Sequence, residues 1–210
     1  PAGVLYVLQG LGSEVGGALP AHEDVDVISF TGSTRVGRMI AEQAGRRLTK
    51  ISLELGGKNA FIVCDDAEIE KAATWAVASA FSNAGQRCAA GSRFIVMSAV
   101  YDAFLAKFVE KASTLKLGVG DDCALGPVIN ERQLNNILSA IEQAKKGGAK
   151  IHYGGRRATA PGLDKGLYVE PTIIDGASPK ADISSNELFG PVGNLYRVDT
   201  FAEAVAMAND

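Results

Sequence analysis

Long apolar runs are absent from this chain of 210 residues. Its apolar stretches are a handful of residues each, against the ~20 that a bilayer-spanning helix needs, and no basic segment leads into an apolar one near the N-terminus. Neither a membrane anchor nor a secretion signal is expected. Excess positive charge is missing too: 21 Lys and Arg stand against 24 Asp and Glu, a net charge of −3, which leaves no surplus to neutralise a run of phosphates. Nucleic acid is not an expected partner. Cysteine is scarce, and Cys64, Cys88 and Cys123 form no C-x-x-C pair, so no disulfide scaffold and no metal site is expected. A reducing, cytoplasmic setting suits such thiols.

What is present is the composition of a folded protein, 47% hydrophobic and 21% charged. At ~150 residues per domain the length allows one large domain or two modest ones. The chain opens on Pro1 without an initiator methionine and closes on Asn209-Asp210 at the end of an amphipathic segment, which reads as a piece of a longer protein.

The first quarter alternates strand and helix patterns. Gly3 to Gln9 (GVLYVLQ) reads as a strand, Glu14 to Ala21 as a short helix and Val25 to Phe30 as a strand. Thr34 to Leu48 reads as a helix with Val36, Ile40, Ala44 and Leu48 on one face, and Ile51 to Leu55 as a further strand. A β-α-β-α-β run favours a parallel sheet carrying helices. Beyond a soft boundary near Gly56 the pattern stays α/β: strands at Ala60 to Cys64, Arg93 to Met97, Lys150 to Tyr153, Tyr168 to Ile174 and Asn194 to Val198. Helices are expected with stripes at Ile69 to Ala80, Tyr101 to Leu115 and Leu134 to Ala144, and from Phe201. Residues 155–162, with their paired arginines, read as a solvated turn.

Three places could carry chemistry. Phe30 to Gly37 (FTGSTRVG) joins a strand end to a helix start, where free N–H groups and the helix dipole favour a phosphate and Gly32 allows close approach. Arg38-Met39 follows where a P-loop needs Lys and Ser or Thr, so an ATP site is disfavoured, and Ser33 or Thr31 acting simply as a helix cap stays open. On ISLEL, alternation puts Ser52 and Glu54 on one face, with Gly56-Gly57 just beyond. Glu54 is either a general base at a strand end or an ordinary solvent-facing carboxylate. Cys88 lies in a loop of small residues, whereas Cys64 ends an apolar strand and Cys123 follows two aspartates that disfavour a thiolate. Cys88 is thus the best nucleophile of the three, with Arg87 and Arg93 nearby in sequence as thiolate-favouring charges. The two histidines, His22 and His152, read as structural or surface residues, which ranks a Cys/His hydrolase low.

Taken together, FTGSTRVG at 30–37, LELGGKNA at 53–60, NAGQRCAAGSR at 83–93 and ELFGPV at 187–192 make the chain resemble the aldehyde dehydrogenases from end to end. The resemblance implies an α/β fold in which residues 1–56 form the later part of a Rossmann-type NAD(P)-binding domain with a parallel sheet. Residues 57–210 would form an α/β catalytic domain cut short at its C-terminal end. It implies NAD(P)-dependent oxidation of an aldehyde to a carboxylic acid, with Cys88 as nucleophile and Glu54 as the base that activates water. Gly32 and Ser33 would hold the pyrophosphate, Val36 would lie beside the adenine, Leu55 and Gly56 would approach the nicotinamide, Glu187 would hold its ribose and Phe189 its ring. NAD or NADP would be the cofactor, a small aldehyde the substrate, and an intact parent would be a homo-oligomer, dimer or tetramer. Arg87 beside the thiol would suit an aldehyde with a distant carboxylate. An asparagine of the oxyanion hole and a ribose-gripping lysine strand would lie outside these residues. The alternative is a truncated, non-catalytic fragment or nucleotide-binding module that keeps the motifs without turnover.

Overall fold

A strand exists only where a neighbour takes up its hydrogen bonds, and this rule sorts the first quarter of the chain. The structure is a computed structural model describing residues 2–210. Its apolar string at 3–9 forms no strand: Val4, Leu5, Tyr6, Val7 and Leu8 are exposed and join neither sheet. The expected strand there is a miss, because β-rich composition does not supply a ladder partner. Helix α1 (Val15–Ala21) follows, then β1 (Val27–Gly32), α2 (Thr34–Arg47) and β2 (Lys50–Leu55). Strands β1 and β2 pair in parallel from Val27 opposite Lys50 to Gly32 opposite Leu55, with α2 as the crossover a parallel pair requires.

The chain divides into two compact units, one ending at Gly56 and the other running Gly57–Asp210. In the first, Ser33 caps α2 by accepting the Val36 N–H at 3.4 Å, and the helix ends at Leu48, whose left-handed φ of 58° returns its N–H to the Ala44 carbonyl. The buried stripe of α2 meets β1 in a small core of Ile28, Ile40 and Ala44. Arg47, in the last turn, donates to the carbonyls of Pro20 (2.8 Å) and His22 and so ties the end of α1 to the end of α2.

The second unit holds β3 (Asn59–Val63), α3 (Ile69–Phe81), β4 (Gly91–Met97), α4 (Tyr101–Ser113), α5 (Glu131–Lys146), β5 (Lys150–Tyr153), β6 (Thr172–Asp175), α6 (Asp182–Ser185), β7 (Val192–Val198) and α7 (Phe201–Ala208). Its sheet runs β3-β4-β7-β6-β5, parallel throughout except where β5 meets β6. The middle strands β4 and β7 are buried along most of their length, which is why they read as apolar runs rather than as alternation. Beneath them the ring of Phe108 packs on Phe81, Phe94 and Phe104, with centroids 5.6, 4.9 and 5.5 Å apart. Helix α5 starts on Asn130, which accepts the Gln133 N–H at 2.9 Å, and buries Leu134, Ile137, Ile141 and Ala144 as its periodicity predicts. Thr200 and Glu203 form a reciprocal capping box on α7.

Two expectations in this unit need correction. Residues 168–171 precede the strand rather than belong to it, because Val169 bridges back to Arg157 and the Glu170 N–H bonds to the Arg156 carbonyl. Arg157 is also no solvated turn residue: it is half-buried and donates to the Gly166 carbonyl at 2.9 Å, closing the 157–166 loop, while Arg156 pairs with Glu170 at 3.0 Å. Helix α6 was not anticipated, since four residues carry no readable period.

Candidate active site

Cys88 owes its exposure to the way α3 is stopped. After Phe81 the chain passes through three left-handed residues, Asn83 (φ 53°), Ala84 (φ 53°) and Gly85 (φ 68°), which reverse its direction over a short span. Asparagine and glycine tolerate that region; alanine in it stores of order 1–3 kcal/mol of strain that the surrounding packing must hold. Gly85 is required twice over, because a β-carbon on it would stand 2.1 Å from the Gly190 carbonyl oxygen. The thiol loop thereby presses against the backbone of the ELFGPV segment.

Residues 87–90 then form a tight turn, closed by the Ala90 N–H on the Arg87 carbonyl at 3.0 Å, with Cys88 at its corner and exposed. Asn59, at the start of β3, donates its amide to the carbonyls of Cys88 (2.6 Å) and Ala90 (3.1 Å). Gln86 grips the neighbouring loop like a peptide: its Oε1 accepts the Ile129 N–H at 2.9 Å and its Nε2 donates to the Pro127 carbonyl at 3.3 Å. Among the described residues of this unit nothing accepts the Cys88 N–H, which leaves it available to an oxyanion.

Of the two arginines, one does not act as the sequence suggested. Arg93 donates to the carbonyls of Lys58 (3.1 Å), Met207 (2.9 Å) and Ala208 (2.9 Å), so it clamps backbone rather than facing the thiol. Arg87 is exposed and donates to the Ser82 hydroxyl at 2.5 Å. The other cysteines behave as expected. Cys64 is half-buried after β3, and partial burial together with its hydrogen bond to Asp122 pushes the Cys123 thiol up, which disfavours its thiolate.

Glu187 and Phe189 stand on the far side of a shallow depression whose near side is formed by Gly57, Gly85, Arg87 and Ala90. Phe189 is exposed and left-handed at φ 53°, an uncommon state for a bulky residue. Two features hold it there: Gln133 of α5 donates to the carbonyls of Leu188 (2.6 Å) and Phe189 (3.1 Å), and Gly190 lies close on Ile137. Lys58 is missed by sequence reasoning although it lies inside LELGGKNA. Burial, and then the positive charge of Arg93, pull its ammonium down to about 8, with the Glu187 carboxylate opposing.

In the first unit, Gly32 and Leu55 are register partners at the ends of β1 and β2, and Glu54 lies opposite Thr31, exposed. Gly37 is buried against the Leu55 methyls, where a β-carbon would come within 2.6 Å, so α2 sits tightly on β2 and its N-terminus opens at the strand ends. First-turn N–H groups without helical acceptors gather there, with Ser33 exposed beside them and Val36 half-buried one turn on. Gly32, Ser33, Val36, Leu55 and Gly56 thus gather at the strand ends and helix start of one unit, and in the other Glu187 and Phe189 share a depression with Arg87 and Ala90, which flank the Cys88 turn. The histidines serve structure: the His22 ring accepts the Asp24 N–H at 3.3 Å and His152 faces Asp175 at 3.5 Å.

The model of the aldehyde dehydrogenase family matches residues 1–210, the whole chain. The chain belongs to the aldehyde dehydrogenase family. It is 40% identical to 3,6-anhydro-alpha-L-galactose dehydrogenase of Vibrio sp. (strain EJY3) and 41% identical to alpha-ketoglutaric semialdehyde dehydrogenase of Bacillus subtilis, in both cases over all of this chain. It covers 44% and 43% of those two proteins, so it spans less than half the length of the curated relatives it matches. Among solved structures it is similar to betaine aldehyde dehydrogenase of Staphylococcus aureus in complex with NAD+, with a TM-score of 0.92 and 40% identity, over 95% of this chain and 40% of that one. This family membership accounts for the α/β fold and its parallel-rich sheets.

Proposed function

We propose that this chain carries the thiol, the water-activating base and part of the dinucleotide-holding surface of an NAD- or NADP-dependent aldehyde dehydrogenase that forms a carboxylic acid. The observation that carries the reading is the exposed Cys88 on a turn whose carbonyls Asn59 holds, in a chain matched to the family throughout. The relatives act, by their names, on a sugar aldehyde and an acidic semialdehyde; the aldehyde group is what these substrates share.

The residues fit a dinucleotide. Gly32, Ser33 and Val36 lie at a helix start packed tightly on a parallel strand, the arrangement that receives a pyrophosphate, and Glu187 presents an exposed carboxylate to ribose hydroxyls beside Phe189. When bound, the cofactor accepts the hydride given up by the substrate carbon. Residues 1–56 thus act as the NAD(P)-binding part and residues 57–210 as the thiol-bearing part.

Cys88, as thiolate, attacks the carbonyl carbon; the carbon–sulfur bond forms as the carbonyl electron pair moves to oxygen, and the Cys88 N–H accommodates the oxyanion. Loss of hydride re-forms the carbonyl as a thioester. Glu54 then takes a proton from water, the resulting hydroxide adds to the thioester, and the carbon–sulfur bond breaks to return the thiolate and release the acid. Acid formation, rather than acyl transfer to a second thiol, is favoured by the presence of Glu54.

The test uses the longest reading frame that carries this chain. Purified protein is mixed with NAD+ or NADP+ and a panel of propanal, glycolaldehyde, succinic semialdehyde and betaine aldehyde, and reduced cofactor is followed by absorbance. The wild type turns over steadily, whereas Glu54→Gln gives a single burst of reduced cofactor and accumulates an acyl group on the Cys88 peptide by mass spectrometry. Absence of both burst and acyl adduct with every aldehyde would favour the nucleotide-binding module without turnover.

A further inference from the structure

We propose that Asn59 is the positioning residue of the Cys88 nucleophile, acting through the peptide plane on its C-terminal side. The proposal rests on the reading of Cys88 as the thiol that attacks the aldehyde.

The direction in which a side chain leaves the backbone, its Cα–Cβ bond, is set by the two peptide planes that flank its α-carbon, because φ and ψ are the only soft backbone dihedrals. On the N-terminal side of Cys88 that plane is held by the turn itself, since the Arg87 carbonyl accepts the Ala90 N–H at 3.0 Å. On the C-terminal side the Cys88 carbonyl has, among the described residues, a single partner, the Asn59 amide at 2.6 Å, and the same amide nitrogen also reaches the Ala90 carbonyl at 3.1 Å. One half-buried side chain therefore closes the turn from outside. Without it the plane is held by the 87–90 turn alone, and the aim of the thiol and the fit of the Cys88 N–H to a developing oxyanion loosen with it.

Asn59 is itself well anchored for this task. It lies opposite Gly91 while Ala60 lies opposite Arg93, so Ser92 is an extra residue on β4, and such a bulge re-aims neighbouring side chains. The Ser92 hydroxyl donates to the Asn59 carbonyl at 3.3 Å, and Arg93 holds the preceding Lys58 carbonyl at 3.1 Å. The positioning amide is thus mounted on the edge of the sheet rather than on a loop.

Misplacement of a reacting group by about 1 Å costs roughly 100-fold in rate, so Asn59→Ala is expected to slow the pre-steady-state burst of reduced cofactor by about 10- to 100-fold. Cofactor affinity, which this amide does not touch, should stay within about threefold. Asn59→Asp keeps the shape but sets an ionised carboxylate against two carbonyl oxygens. Its protonated form regains one donor, so the burst rate of Asn59→Asp relative to wild type should rise as pH falls, a trend a merely structural role would not produce.

The experiment measures burst rates in the longest reading frame carrying the chain, per titrated Cys88 thiol and per folded protein from thermal melts, for wild type, Asn59→Ala, Asn59→Asp and Cys88→Ala. A slowed burst with unchanged cofactor affinity and the inverted pH ratio supports the proposal. A wild-type burst in Asn59→Ala alongside a dead Cys88→Ala overturns it, as does a loss that only follows the folded fraction. An active Cys88→Ala would instead remove the nucleophile reading, and this proposal with it.

Discussion

The two units solve different problems with different materials. In the unit ending at Gly56 the candidate site is made of backbone: strand ends, a helix start, and glycines at 32 and 37, above a core of Ile28, Ile40 and Ala44 with the half-buried Phe30, Val36 and Leu53 packed on it. In the unit running Gly57–Asp210 it is made of side chains, with Cys88, Asn59, Gln86 and Gln133 held over a large aromatic and aliphatic core. A helix start presents N–H groups through its backbone alone, so it needs no side chain aimed at the ligand. A nucleophile must be aimed within fractions of an ångström, and that requires packing that does not yield.

The largest test of this contrast is chemical. Cys88→Ala should lower aldehyde oxidation by roughly 10³-fold or more, measured as steady reduction of cofactor, while dinucleotide binding by fluorescence titration is retained. Loss of binding together with turnover would show that the two kinds of site are not separable.

Next comes stability. Phe108 is fully buried among three other phenylalanines, so Phe108→Ala should cost about 3–5 kcal/mol in denaturant titration and weaken the whole second unit. Ile40→Ala, in the thin core, should cost about 2 kcal/mol and speed amide exchange in residues 27–55 alone. Equal effects from the two would mean that the small core is not the weaker one.

Proton linkage sharpens the comparison further. The ammonium of Lys58 ionises at about 8 in the folded unit against its ordinary 10.5, so between those values the unfolded chain binds more protons than the folded one. Stability attributable to Lys58 therefore rises as pH increases from about 8 towards 10.5 and is lowest below 8. Tyr101 acts oppositely only above pH 10, where its raised value, caused first by burial, keeps it protonated in the folded state. Denaturation midpoints between pH 8 and 10 should rise in the wild type and lie flatter in Lys58→Met; identical slopes would remove Lys58 from the account.

The smallest effects belong to the remaining thiols. Cys64→Ser and Cys123→Ser should leave the burst intact and change stability by no more than about 1 kcal/mol, since one is half-buried just after β3 and the thiol of the other meets the exposed Asp122. A dead but folded Cys123→Ser would contradict the placement of the chemistry at Cys88.

Much of this was legible before the fold. The stripes of α3, α4 and α5 appear where period 3.6 places them, and that of α2 does as far as Ala44, whereas Leu48 falls past the helix end, left-handed and exposed; the four strings point to the family without any coordinates. Local sequence determines these things because helix periodicity, capping residues such as Ser33 and Asn130, and the left-handed preference of Gly85 act over a few residues. Tertiary structure alone decided the rest. GVLYVLQ has strand composition and no strand, because a ladder needs a partner that sequence does not name. Arg87 and Arg93 carry charges beside the thiol in sequence, yet their donors close on Ser82, Lys58, Met207 and Ala208, because adjacency along the chain says nothing of direction in space. Asn59 and Cys88 meet only because β3 and β4 are neighbours with a bulge between them, a pairing across 29 residues that no local pattern encodes.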